Sequence, residues 1–112
     1  MGLQIASVIY CFLVAAIFLV AAPFWGAEGW SVDGFSLPAQ LGERLPVDLP
    51  VKLYHHVDDE VVPFAHLTHN AAAMPQATVW SGARGGHQFV DGMGPIARDV
   101  LALDRDRGRT TT

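Results

Sequence analysis

Leu53-Tyr54-His55-His56-Val57-Asp58-Asp59-Glu60-Val61-Val62-Pro63, answered by Gly85-Gly86-His87-Gln88-Phe89, is the part of the chain that decides how the rest is read. The first run begins as an apolar strand and ends in two carboxylates and a proline turn. The second is a glycine hinge that presents one histidine. In an α/β sheet, functional side chains gather where the carboxyl ends of strands open into loops. Neighbouring parallel strands lie about 5 Å apart, so loops at adjacent strand ends can meet. A carboxylate held against one imidazole nitrogen fixes the tautomer and stabilises the imidazolium, which leaves the other nitrogen to take a proton. Asp58 and Asp59 after the apolar strand and His87 in the glycine loop supply the candidate groups.

Working outward, Val51 to His55 is a short strand, and Pro63 suits the first turn of a helix that stops at Met74, before Pro75. Ala77 to Trp80 is the next strand candidate, and the glycines at 82, 85 and 86 make a loop. A helix from Pro95 to Leu103 has Ile96, Val100, Leu101 and Leu103 on its apolar side. On the other flank, Val14 to Ala22 is a continuous apolar run stopped by Pro23, as a parallel strand buried on both faces requires. Leu3, Ile5, Ala6, Ile9, Tyr10 and Leu13 before it recur at helical spacing. Between the first two strands, Pro38 to Arg44 reads as a short helix, with Ser36 as its N-cap and Leu37, Leu41 and Leu45 on one face. The alternation of strands and helices implies an α/β fold of about three parallel strands with flanking helices.

The 112 residues suffice for one small domain, and 51% apolar with 16% charged residues argues against disorder over most of the length. A formal charge of −4 and the lack of a basic stripe argue against nucleic acid as a partner. Cys11 is a lone cysteine in an apolar run, which reads as an inert thiol. Residues 3–25 carry no formal charge and are long enough for a transmembrane helix. That gives an alternative: a small membrane-anchored protein with a helix at 3–25 and a soluble binding module behind it.

The motifs and their order resemble the C-terminal half of the α/β hydrolase fold family, in particular its small serine hydrolases and esterases, over residues 12 to 103. In that family the chain order is nucleophile, acid, histidine, and the acid loop runs from a glycine through Asp to Val-Pro. Here His56 takes the glycine position, Asp59 the acid position and Val62-Pro63 the closing pair, while Gly86-His87-Gln88-Phe89 matches the histidine loop. The resemblance implies a partial hydrolase sheet and a parent activity on esters or similar acyl bonds. His87 would be general base and Asp59 its orienting acid. It also implies a small ester-like substrate, no cofactor and a cytoplasmic protein. Residues 1–103 would form the C-terminal portion of the hydrolase domain, and 104–112 a disordered polar tail.

No nucleophile elbow accompanies these motifs. Gly29-Trp30-Ser31-Val32-Asp33 ends in Asp where a second glycine is needed and lies after the matching strand. Ser81 adjoins the histidine loop. Met1-Gly2-Leu3 is what would follow the serine of such an elbow, so the chain reads as a truncated hydrolase that keeps the acid and histidine and lacks the nucleophile. Removing a neighbouring strand would leave Val14 to Ala22 as an apolar edge, open to self-association.

Five histidines fall between positions 55 and 87, but no H-E-x-x-H and no cysteine pair supports a metal site. His66 and His69 read as surface residues of a partly polar helix. His55 and His56 point to opposite faces of their strand. Asp58 and Glu60 read as a solvated turn, and Asp59 could also cap the helix that Pro63 helps start.

Overall fold

The second strand lies at the centre because its side chains alternate between two apolar layers and leave neither face to water. The computed structural model describes residues 15–31 and 33–110, with side chains up to Arg105 in the final helix. Its elements are β1 (Ile17–Val20), a 3-10 turn (Leu41–Arg44), β2 (Val51–His56), α1 (Ala65–Ala73), β3 (Thr78–Gly82) and α2 (Gly94–Thr110). The three strands form one parallel sheet in the order β1-β2-β3. The expected α/β architecture is therefore present.

Register sets the two faces. Leu19, Leu53 and Val79 share one row, and Val20, Tyr54 and Trp80 the next. On one face Val51 and Leu53 pack with Leu67 of α1 and Met74, joined by Leu41 and Leu45 from the 3-10 turn. On the other, Tyr54 packs with Ala21 and Phe89, joined by Phe18, Trp80 and Ile96 of α2. Burying Leu53 and Val51 contributes about 1.5–3 kcal/mol each. The Tyr54 hydroxyl donates to Asp99 Oδ2 at 2.6 Å and so ties α2 to the sheet. Burial, then that hydrogen bond and the Asp99 charge, push the phenol well above its ordinary range.

Several expectations are corrected. β1 covers only Ile17–Val20 and is half-buried rather than enclosed on both faces, since among the described residues it is an outermost strand. Ala21, at φ 52°, turns the chain out of the extended conformation. The strand state of Ile17–Val20 rules out one continuous helix over 3–25, and among the described residues no helix is long and apolar enough to cross a membrane. The helix at Leu3 to Leu13, Val14, Cys11 and Met1-Gly2 lie outside the described residues.

Instead of a helix from Pro38, a single 3-10 turn runs over Leu41–Arg44, with Gln40 at its cap position and no side-chain cap. Gly42 sits against Met74 and Ala73, where a Cβ would come 3.0 Å from Met74 Cα, and Gln76 Nε2 donates to its carbonyl at 3.0 Å. That tertiary approach, rather than local propensity, sets the turn. The final helix runs on to Thr110, beyond Leu103, with Pro95 in its first turn and no glycine until Gly108. Its apolar side is only partly used: Ile96 reaches the core, whereas Val100 and Leu101 are exposed.

Candidate functional site

The strand-to-helix turn after β2 is built around one carboxylate. Asp59 Oδ1 accepts the backbone N–H groups of Val61 at 2.8 Å and Val62 at 2.7 Å. These bonds close the turn that Pro63 ends, so Asp59 braces this turn, and α1 itself has no side-chain cap. Asp59 Oδ2 meets His87 Nδ1 at 3.0 Å and lies 3.2 Å from His55 Nε2. The carboxylate is thus surrounded by donors, with its side chain fully enclosed. Burial pushes its pKa up, but the N–H of Val62, the His87 imidazole and the N–H of Val61 together outweigh this and hold it below the usual 3.8.

An ionised carboxylate only accepts, so His87 Nδ1 is assigned the hydrogen, and in the neutral ring Nε2 is left as a free base. The His87 side chain is 31% exposed, unlike its partner. It lines a cleft of about 480 Å³ whose walls include Asp58, Glu60, Arg84 and Asp91. The arrangement can fix a tautomer, stabilise an imidazolium and present a basic nitrogen to the cleft. Among the described residues, neither Ser31 nor Ser81 is hydrogen bonded to His87.

The neighbours of Asp59 are more involved than the sequence suggested. Asp58 is not merely a solvated turn residue: its Oδ1 accepts the Gly86 N–H at 2.8 Å. His56 is buried, and its Nδ1–H donates to the Gly86 carbonyl at 2.9 Å. Its ring lies against Phe89, with centroids 3.9 Å apart, and against Trp80 at 5.5 Å. His55 points to the opposite face, as alternation requires, and donates from Nε2 to the Val62 carbonyl at 2.9 Å. The place of His56 at the end of the strand was visible in the sequence; its partner thirty positions later was not.

His66 is a second correction. It is buried rather than superficial, and its Nδ1 accepts the Phe24 N–H at 2.8 Å while Trp30 meets its ring edge-on. Burial, then the nearby His69 and His55, hold its pKa below the ordinary 6.5. The folded state therefore binds this proton less readily than the unfolded chain. Stability is full above 6.5 and falls as pH drops from there to the folded value. A urea titration at successive pH values should show the midpoint declining below pH 6.5. His66→Asn, whose amide oxygen can replace Nδ1 as acceptor, should flatten that decline.

Among the described residues no group of three or more His, Cys, Asp or Glu side chains is disposed to hold a metal ion. Comparison of the chain with family models, with curated proteins and with solved structures gave no match.

Proposed function

We propose that Asp59 and His87 are the acid and base of an acyl-transfer couple of the α/β hydrolase type, acting on esters or similar acyl bonds. The observation that carries this reading is the 3.0 Å contact of Asp59 Oδ2 with His87 Nδ1, which leaves Nε2 free beside the cleft. His87 Nε2 removes the proton of a hydroxyl as its oxygen attacks the acyl carbon, and Asp59 stabilises the imidazolium that results. The proton then passes to the leaving group or to solvent. In this reading the chain keeps the acid and histidine, no serine among the described residues is hydrogen bonded to His87, and the nucleophile is supplied separately.

Trifluoroethanol can serve as that nucleophile, with p-nitrophenyl acetate as acyl donor. The wild-type chain should accelerate transfer to the alcohol by roughly 10²-fold over His87→Ala, the lower range of general-base catalysis. Equal rates in the two proteins overturn the proposal. A fluorophosphonate probe should leave the chain unlabelled. Labelling that disappears in Ser31→Ala would place a working serine within it.

A further inference from the structure

Gly86 is held through both of its backbone polar groups, one by the last residue of β2 and the other by the turn that follows it. His56 takes its carbonyl at 2.9 Å and Asp58 its N–H at 2.8 Å, while Asp59 takes the imidazole of the next residue at 3.0 Å. Without these bonds the hinge would be loose, because Gly85 and Gly86 adopt φ values of 135° and 65° and have wide conformational freedom. A second feature bears on the same ring. Phe89 is a non-glycine residue at φ 54°, a conformation that persists only where packing over-determines it. Its side chain is buried against the face of His56. The histidine loop is therefore held at Gly86 by hydrogen bonds and at Phe89 by ring packing, with His87 between.

We propose that His56 and Asp58 are positioning residues for His87, aiming its Nε2 into the cleft through the Gly86 peptide. This rests on the acid–base reading of Asp59 and His87. Both act by narrowing the range of His87 positions, and small displacements of a base cost large factors in rate. Since a carbonyl can only accept, His56 must keep a hydrogen on Nδ1, which both its neutral Nδ1–H tautomer and its cation provide. The clamp therefore does not depend on His56 changing charge.

The test pairs a spectroscopic with a kinetic measurement. His56→Phe keeps an aromatic ring but removes the donor, whereas His56→Asn keeps a donor near the place of Nδ1. In the wild type, the His87 Nδ1 proton bound to Asp59 should give a slowly exchanging NMR resonance. In His56→Phe it should broaden or vanish, and the rate of acyl transfer to trifluoroethanol should fall roughly 10–100-fold with KM unchanged. His56→Asn should recover both to within a few-fold. If His56→Phe does not fold, Asp58→Ala, at an exposed position, should show the same losses, and Asp58→Asn, which keeps an acceptor oxygen, should recover them. An unchanged resonance in His56→Phe or Asp58→Ala overturns the positioning role. A resonance lost in the variants, with no catalysis in the wild type, supports positioning and overturns the acid–base reading instead.

Discussion

Asp59→Asn is expected to remove most of the assisted acyl transfer, a loss close to the roughly 10²-fold that His87→Ala causes. The magnitude follows from the tautomer rather than from the geometry. Oδ2 receives the hydrogen of His87 Nδ1, with His55 Nε2 3.2 Å away, and Oδ1 receives those of the Val61 and Val62 backbone. An amide can keep only one of its two atoms as an acceptor. If that oxygen stays with the two backbone N–H groups, the amide nitrogen confronts the His87 Nδ1 donor. His87 then moves its hydrogen to Nε2, where it can no longer act as a base. His55 remains tied to the Val62 carbonyl but loses the negative charge 3.2 Å from its Nε2. Leaving such buried donors unsatisfied costs about 1–3 kcal/mol, so a lower urea midpoint should accompany the lost rate. An unchanged rate in Asp59→Asn would show that the buried carboxylate only braces the turn. The wild-type carboxylate also sets an acid limit. With its pKa held below 3.8, its contribution is present above that value and lost as pH falls through the folded one.

Gly85→Ala is expected to be the most damaging single-methyl change in the loop. At φ 135° the backbone lies where residues with a Cβ rarely go, at a cost of about 1–3 kcal/mol. The added methyl would also collide with His56 Cε1 and with the two ring nitrogens at 2.7 Å. That ring has little room to retreat, since Phe89 and Trp80 pack on it and a Cβ at Gly82 would lie 2.7 Å from its Cδ2. Displacing it adds about 1–3 kcal/mol. The sum is a large share of a net stability on the order of 5–15 kcal/mol. Thermal melts should show a clear drop, and the His87 resonance should be lost even below the new midpoint. Gly92→Ala, where a Cβ meets nothing within 4 Å although φ is 106°, should carry only the backbone cost. A Gly85→Ala protein as stable as Gly92→Ala would mean that the His56 ring is not held tightly.

The parts of the fold legible in the residues were those carried by local pattern. Val51 to His56 alternates in a way that supplies apolar groups to two faces, Pro63 and Pro75 bracket α1, and Pro95 opens α2. The parts not legible were those set by distant partners. Leu37, Leu41 and Leu45 recur at helical spacing, yet the approach of Gly42 to the end of α1 left only a 3-10 turn. Val100 and Leu101 matched an apolar helix face, yet both are exposed. His66 looked superficial because nothing in its own helix announces that the Phe24 N–H, forty-two positions earlier, needs an acceptor.

The candidate site divides along the same line. Chain order, the carboxylates after a strand and the histidine after a glycine pair marked Asp59 and His87, because a parallel sheet delivers successive strand ends to one edge. Only the folded chain decided which atoms meet. The sheet register sets His56 opposite Gly82, the loop that follows brings Gly86 within reach of His56 and Asp58, and Asp59 is left with His87. Residue types and order are local properties that a chain carries unfolded. Hydrogen-bond partners depend on distances of a few tenths of an ångström, which strand register and the packing of Phe89 and Trp80 impose.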